Sequence, residues 1–196
     1  MHWQLAASVV SKGHCHCCGR RSSGTWCFSE RQHYLMLIIR GSGLQPVMIN
    51  FSSYDDFVAR EGELLFESDP VSITKEMIQA FCTSIDQLDW FHFEEEQATE
   101  AFGGIIAPGT MTITLIHPAY FREVQLEGLR ALFLGLDRFR VIGPLKAGAD
   151  IVLEFVVQKA EIRSEGFAVY YDFTWRDNAS GDEISVGTTI VRYWPM

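Results

Sequence analysis

The stretch IVLEFVVQKAEIRSEGFAVYYDFTW, residues 151–175, decides the fold because apolar side chains alternate with others on both sides of a short turn. An apolar residue at every second position is the period of a strand that buries one face. The turn SEG (164–166) separates the two runs, and a third run, 184–190, follows the turn 177–183. The pattern predicts three long antiparallel strands, preceded by a further strand around 131–139.

A segment with helical spacing and apolar side chains on nearly every side comes before these strands. It reads TMTITLIHPAY (110–120). A helix that is apolar all round is a buried helix. Helices followed by strands in series predict the α+β class, with a curved antiparallel sheet wrapped around this central buried helix.

Shorter helices are predicted upstream of the buried one. Residues 55–65 can form a short helix, and Thr74 is a good N-cap for an amphipathic helix that ends near Ser84. Residues 94–99 are typical of a short exposed helical turn. The loop FGGIIAPG (102–109) then leads into the buried helix, whose first backbone N–H groups can hold an anionic or carbonyl oxygen.

Length and charge narrow the class of protein. At 196 residues the chain suits one domain, or one domain with an appendage. The net charge of −9 disfavours nucleic acid as a partner. The longest apolar run, 34–39, is too short to cross a membrane and is followed at once by Arg40. We expect a cytoplasmic globular protein that binds neither nucleic acid nor a membrane.

The first 47 residues differ from the rest in composition. They carry five Lys and Arg residues against one Glu, although the whole chain has a net charge of −9. They also hold four of the five cysteines and four of the six histidines. This break predicts an irregular extension at 1–47, either an over-extended start or a leader, and a domain at 48–196. The crowded stretch HCHCC (14–18) lacks the two separated ligand pairs of structural zinc sites, so we predict no metal site there.

The stretch SIDQLDWFHFEEEQA, residues 84–98, places Asp86, Asp89 and His92 within an aromatic run. A carboxylate and an imidazole in apolar surroundings are typical of an acid/base pair, because burial and proximity shift their proton affinities. A plainer interpretation stays open. Asp86 could cap a turn, Asp89 could be a solvated loop acid, and His92 could be a hydrogen-bonded core histidine.

Three motifs together resemble the MaoC-like dehydratases, a hot-dog-fold family that includes the (R)-specific enoyl-CoA hydratases. They are IT-x-x-x-I-x-x-F (73–81), the Asp-to-His stretch (86–92) and FGG-x-IA-x-G (102–109). The tryptophan two places before the histidine and the ending VRYWP (191–195) are most similar to the branch named after the nodulation protein NodN. The resemblance covers roughly 50–195.

The chain departs from the family pattern at two points. Its aspartate-to-histidine interval is one residue longer than usual, so an ungapped alignment on His92 puts Gln87 in the aspartate's place. A loop bulge could restore Asp86 to that place, or Asp86 could turn away and leave Asp89 or no acid near the histidine. The family's Ala-His-Gly tripeptide reads Ala-Pro-Gly at 107–109.

The resemblance implies a hydro-lyase that adds or removes water at the C2–C3 bond of an enoyl or 3-hydroxyacyl thioester. It implies Asp86 and His92 as the water-holding pair, with Asp89 as the alternative acid. The oxyanion and substrate-binding residues implied are Gly109, Ala107 and Thr110, and the pocket wall implied is Trp90, Phe91 and Phe102.

Two other functions stay open at this point. One is a degenerate hot-dog protein that binds acyl thioesters without turnover, and the other is a hot-dog thioesterase. The resemblance implies no metal and no redox cofactor, since the substrate is carried on CoA or on an acyl carrier protein, which is then a possible partner. It also implies a homodimer formed through the sheet.

Overall fold

A computed structural model describes residues 48–196 of the chain. The helices are α1 (Tyr54–Val58), α2 (Lys75–Ser84), α3 (Trp90–Phe93), α4 (Glu95–Phe102) and α5 (Gly109–Glu123). The strands are β1 (Ile49–Phe51), β2 (Leu64–Glu67), β3 (Val71–Ser72), β4 (Val124–Leu126), β5 (Leu129–Val141), β6 (Asp150–Arg163), β7 (Gly166–Asp177) and β8 (Glu183–Pro195). The predictions for 1–47, including the irregular extension and the absence of a metal site, lie outside the described residues.

One antiparallel sheet forms the body of the domain. Its strands lie in the order β2-β6-β7-β8-β5, and β3 pairs with one end of β6. The three strands predicted from the period of two are therefore confirmed as β6 to β8, and the further strand predicted around 131–139 is confirmed as β5. Register shifts on β5 and β6 bend these strands, because a bulge increases the local twist. A separate parallel pair joins β1 to β4.

Helix α5 packs against the inner face of this sheet. The indole Nε1 of Trp175 on β7 donates to the carbonyl oxygen of Thr112 at 2.9 Å, and the hydroxyl of Ser185 on β8 lies 3.0 Å from the Thr112 hydroxyl. Both β-strand side chains are completely buried. These contacts confirm the α+β class and the central helix.

The burial of α5 is one-sided in the single chain, which differs from the all-round burial that its composition predicts. Met111, Ile116 and Tyr120 are buried against the sheet. A second face is exposed at three- and four-residue steps, at Thr110, Thr114, Pro118 and Phe121. An apolar helix with one open stripe is consistent with a surface that another molecule covers.

Two of the predicted helices differ from the structure in extent. The helix predicted at 55–65 is wrong in its second half, because α1 ends at Val58 and Leu64 pairs in β2 with Val156 of β6. Helix α2 is confirmed, with the Thr74 hydroxyl accepting from the Met77 N–H at 3.1 Å. Helix α4 is longer than predicted, and the single turn α3 was not predicted. None of the helices between residues 48 and 196 combines the length and apolarity needed to cross a bilayer.

Candidate active site

His92 lies on the single turn α3, between α2 and α4. Its backbone N–H donates to the Asp89 carbonyl at 3.0 Å, which closes the turn. The side chain is only 1% exposed, although the turn itself is short and its neighbours Asp89 and Trp90 are exposed. Most buried polar side-chain atoms are hydrogen-bonded, and the partners of the two imidazole nitrogens define what the His92 ring can do.

The loop before α5 holds the His92 ring in one orientation. Nδ1 of His92 lies 2.5 Å from the carbonyl oxygen of Ile106, and the Ile106 N–H donates to the Phe91 carbonyl at 3.2 Å. The loop is held from its other side by Leu145, whose carbonyl accepts from the Ala107 N–H at 2.7 Å. Because a carbonyl only accepts, Nδ1 of the neutral ring carries the proton and Nε2 carries the lone pair.

The side chain that faces Nε2 of His92 is Gln87. The amide nitrogen of Gln87 lies 3.4 Å from His92 Nε2 and 3.5 Å from Oδ2 of Asp89. Gln87 is half-buried, whereas Asp89 is exposed. The structure therefore connects Asp89 to His92 through an amide rather than directly.

Asp86 lies at the end of α2 and is exposed. Its φ of 56° is in the left-handed region, and its N–H donates to the Thr83 carbonyl at 3.3 Å. The extra residue of the longer interval is thus absorbed in a left-handed turn at Asp86. Among the described residues, the polar groups in contact with the His92 ring belong to Gln87 and Ile106, so the direct Asp86–His92 pairing implied by the resemblance is absent from this arrangement.

The N-terminus of α5 follows the Ile106 loop directly. Pro108 is the N-cap and Gly109 the first helical residue, so the Gly109 N–H has no acceptor within the helix. A Cβ added to Gly109 would lie 2.5 Å from Cγ2 of Val141. The end of β5 can therefore lie this close to the start of α5 only because residue 109 is glycine. Ala107 is buried and Thr110 is exposed.

The three predicted wall residues contact one another beside His92. The rings of Trp90 and Phe102 stack with centroids 6.0 Å apart, and Phe91 meets each of them edge to face. Phe91 also contacts the imidazole edge to face, at 4.3 Å. Trp90 and Phe102 are 41% and 40% exposed, so they present an open apolar surface rather than a closed pocket in the single chain.

A separate cavity of about 80 Å³ lies between α5 and the sheet, and His92 does not line it. His117 on α5 and Thr189 on β8 line this cavity, and His117 Nε2 and Thr189 Oγ1 are buried without a hydrogen-bond partner among residues 48–196. Burial lowers the pKa of the His117 imidazole. Cys82 is buried in α2, where desolvation raises the pKa of its thiol.

Sequence reasoning placed His92 at the centre of the site but gave Gln87 no role. The ungapped alignment on the histidine was the signal that could have found it. No cluster of three or more possible metal ligands occurs within the part of the chain that the structure describes.

Comparison with known proteins assigns the family. The family model described as "FAS1-like, dehydratase domain region" matches residues 62–185, which include the Gln87–His92 stretch, α5 and most of the sheet. The chain belongs to the MaoC-like dehydratase family. A relative that is 31% identical to it is named a 3-hydroxyacyl-thioester dehydratase, so it is a member of a family of hydro-lyases.

Two curated relatives support this membership. The chain is 31% identical over 106 residues to 3-hydroxyacyl-thioester dehydratase Z of Mycobacterium tuberculosis, a match that covers 53% of this chain and 70% of the relative. It is 28% identical over 121 residues to nodulation protein N of Rhizobium leguminosarum bv. viciae, covering 60% of this chain and 75% of the relative. The resemblance to NodN is therefore confirmed.

Solved structures confirm the hot-dog fold. The R-hydratase PhaJ1 of Pseudomonas aeruginosa superimposes with a TM-score of 0.58 at 20% identity, covering 74% of this chain and 86% of that one. A MaoC-like dehydratase of Rhodospirillum rubrum gives a TM-score of 0.54 at 19% identity, covering 67% and 92%.

Proposed function

We propose that this MaoC-like protein adds water to, or removes it from, the C2–C3 bond of an enoyl or 3-hydroxyacyl thioester carried on CoA or on an acyl carrier protein. The observation that carries the proposal is the buried His92 ring, whose Nδ1 is bound to the Ile106 carbonyl so that Nε2 is left as the base. The name of the M. tuberculosis relative, a 3-hydroxyacyl-thioester dehydratase, supports the substrate class.

In the hydration direction, His92 Nε2 takes a proton from a water molecule while the water oxygen bonds to C3. The C2–C3 π electrons move toward C2 and the thioester oxygen, which becomes an enolate oxygen. The Gly109 N–H at the start of α5 donates to that oxygen. The Nε2–H of the imidazolium then returns the proton to C2, and the sum of these steps is the addition of one water. Dehydration is the same sequence reversed.

Ala107 and Thr110 flank Gly109 and would line the binding site for the thioester group. Trp90, Phe91 and Phe102 would bind the apolar part of the substrate, since the stacked rings of Trp90 and Phe102 are already exposed beside His92. No metal and no redox cofactor is needed for these steps. We predict that the reaction takes place in the cytoplasm.

We also infer that the working protein is a homodimer in which a second copy covers strand β5. β5 is the last strand of the sheet, so one side of its backbone is unpaired within residues 48–196. Leu132 and Leu134 are 54% and 53% exposed on it, and an exposed apolar edge strand favours pairing with another chain. Changing both to Asp should shift the protein from dimer to monomer in analytical ultracentrifugation. A wild-type monomer at micromolar concentration would contradict the dimer.

The proposed function is tested by following the loss of the conjugated enoyl absorbance of but-2-enoyl-CoA, and of the same acyl group on an acyl carrier protein. We expect turnover by the wild type and a loss of at least about 100-fold in His92→Ala. Turnover of only one carrier would identify the carrier. Binding of both thioesters without turnover would instead support a degenerate binding protein.

A thioesterase would release a free thiol without loss of the enoyl group beforehand. Thiol release is therefore measured in parallel with a thiol-reactive chromophore. Thiol release by the wild type that disappears in His92→Ala, with the enoyl absorbance of the freed acid retained, would replace hydration by thioester hydrolysis.

A further inference from the structure

We propose that Gln87 is the second catalytic residue of this site, in place of a carboxylate, and that Asp89 positions it. The inference rests on the proposed hydration and dehydration activity. It assigns the water-binding role beside His92 to an uncharged amide, so that His92 is the single group that gains and loses the proton.

The contacts of Gln87 determine which end of its amide is the nitrogen. One neighbour is Oδ2 of Asp89, an acceptor at 3.5 Å, and the other is Nε2 of His92 at 3.4 Å. His92 Nε2 is also an acceptor, because Nδ1 holds its proton toward the Ile106 carbonyl at 2.5 Å. An amide NH2 group has two hydrogens, and both acceptors are satisfied only when the nitrogen faces them.

This orientation leaves the Gln87 carbonyl oxygen without a role in the chain of contacts from Ile106 to Asp89. That oxygen can accept a hydrogen bond from the attacking water, while the second hydrogen of the water points to His92 Nε2. The 3.4 Å contact of Gln87 with His92 is long for a hydrogen bond, as is its 3.5 Å contact with Asp89. A water molecule that enters between Gln87 and His92 replaces the first contact and leaves Asp89 as the acceptor of the other. The result is a water held by one neutral acceptor and one base.

Asp89 contributes an acceptor in this arrangement rather than an acid. Its side chain does not cap α3, although it occupies the N-cap position, so it is available to Gln87. Asp86 contributes nothing to the arrangement because it is exposed in a left-handed turn. Water activation therefore requires an acceptor oxygen at residue 89 and the amide of Gln87. It does not require a carboxylate that takes up or releases a proton.

The first test compares Gln87→Leu with Gln97→Leu, a matched change on the exposed face of α4. We expect Gln87→Leu to lower kcat by about 100-fold, since a misplaced reactant costs on that order, while Gln97→Leu keeps wild-type turnover. Equal turnover in both variants would overturn the proposal.

The second test asks whether a carboxylate is needed. Asp89→Asn retains an oxygen that can accept from Gln87, so its kcat should stay within about threefold of wild type, whereas Asp89→Ala should fall about tenfold or more. Asp86→Asn should behave like the wild type. If Asp89→Asn falls as far as Asp89→Ala, or if Asp86→Asn falls as far as His92→Ala, a carboxylic acid takes part directly and the proposal is wrong.

The pH dependence of kcat/KM gives a readout that a structural role would not change. With an uncharged Gln87, the profile should show the ionisation of one enzyme group, and Gln87→Glu should add a second. A wild-type profile that already needs two site ionisations would contradict the proposal.

A readout without turnover separates this inference from the proposed function. In ¹⁵N-labelled protein, the His92 Nε2 resonance should move in Gln87→Leu and stay in place in Gln97→Leu, because only the former loses the N–H donor to that nitrogen. If the wild type turns over neither thioester, the proposed function fails. The Gln87–His92 contact is then judged by this resonance alone, and an unmoved signal would overturn it.

Discussion

Nδ1 of His92 lies 2.5 Å from the carbonyl oxygen of Ile106, so a residue of the short turn α3 is bound to the loop that begins the central helix α5. Ile106 also donates its N–H to the Phe91 carbonyl, so two hydrogen bonds join α3 to this loop. This pair of bonds fixes the His92 ring beside the loop that leads into the N-terminus of α5. It also sets the ring tautomer, because the carbonyl can only accept.

Replacing His92 by Asn should separate its structural role from its chemical role. The Asn amide nitrogen can take the place of Nδ1 and donate to the Ile106 carbonyl, but nothing replaces Nε2. We expect loss of turnover with a free energy of unfolding within about 1 kcal/mol of wild type, whereas His92→Ala should cost about 1–3 kcal/mol because it leaves buried polar groups unpaired. Urea denaturation of the three proteins checks this. Equal destabilisation by both substitutions would contradict it.

Gly109→Ala should disturb the start of α5. The added Cβ would lie 2.5 Å from Cγ2 of Val141, so either that side chain rotates or the helix start moves. We expect a loss of about 1–3 kcal/mol in unfolding free energy, together with lower kcat because the Gly109 N–H is displaced. The double variant Gly109→Ala/Val141→Ala removes the clash and should recover most of the stability. A double variant as unstable as Gly109→Ala would exclude this steric cause.

The stacked rings of Trp90 and Phe102 should be energetically coupled. Their centroids lie 6.0 Å apart with planes inclined by 24°. A double-mutant cycle of Trp90→Ala and Phe102→Ala, measured by urea denaturation, should give a coupling of about 0.5–1.5 kcal/mol. In turnover assays both substitutions should raise KM more than they lower kcat. Additive effects on stability would mean that the stacking contributes nothing.

Three tyrosine hydroxyls in the core should make the protein sensitive to alkali. Those of Tyr171 and Tyr193 lie 2.7 Å apart, with that of Tyr120 at 3.1 Å from Tyr193. Burial raises the pKa of Tyr120 to about 12, from an ordinary value of 10.0. Burial also raises the pKa of Tyr171 and of Tyr193 well above that value.

The sign of the pH effect follows from proton binding. Below about pH 9 the folded and the unfolded chain both hold the Tyr120 hydroxyl proton. Between pH 10 and 12 the unfolded chain loses this proton while the folded chain keeps it. The free energy of unfolding should therefore fall through this range, by roughly 3 kcal/mol from Tyr120 alone. Urea midpoints from pH 8 to 11 should show a shallower fall in Tyr120→Phe than in Tyr170→Phe, a matched change outside the cluster. If the urea midpoint fell equally steeply with pH in the two variants, the raised pKa of Tyr120 would be contradicted.

Two adjacent threonines of β8 should respond oppositely to substitution by valine. Thr189 Oγ1 is buried without a partner among the described residues, so Thr189→Val should leave stability unchanged or raise it by up to about 1 kcal/mol. Thr188 donates to Asp172 at 2.6 Å and accepts from Arg138 at 3.2 Å. Thr188→Val should cost about 1–3 kcal/mol. Thermal or urea unfolding compares the two variants. A Thr189→Val variant less stable than Thr188→Val would contradict the hydrogen bonds assigned to these two threonines.

Local patterns predicted much of the fold because they state which face of an element is buried. The alternation in 151–175 predicted β6 and β7, and the spacing after Thr74 predicted α2. The same reasoning failed at Leu64, since the three apolar residues 64–66 do not distinguish a helix end from a strand. Pairing with Val156, far away in the chain, decides that Leu64 is in a strand.

The sequence by itself determined the class of the fold, the position of the central helix and the presence of His92 in an apolar stretch. Only the tertiary structure decided which polar group meets that histidine. Counting residues could not settle whether Asp86 or Gln87 faces the ring, because one residue in a left-handed turn changes where every following side chain of the loop lies. The choice depends on the Ile106 carbonyl and on Asp89, which contact the His92–Gln87 pair only when α3 folds against the loop before α5.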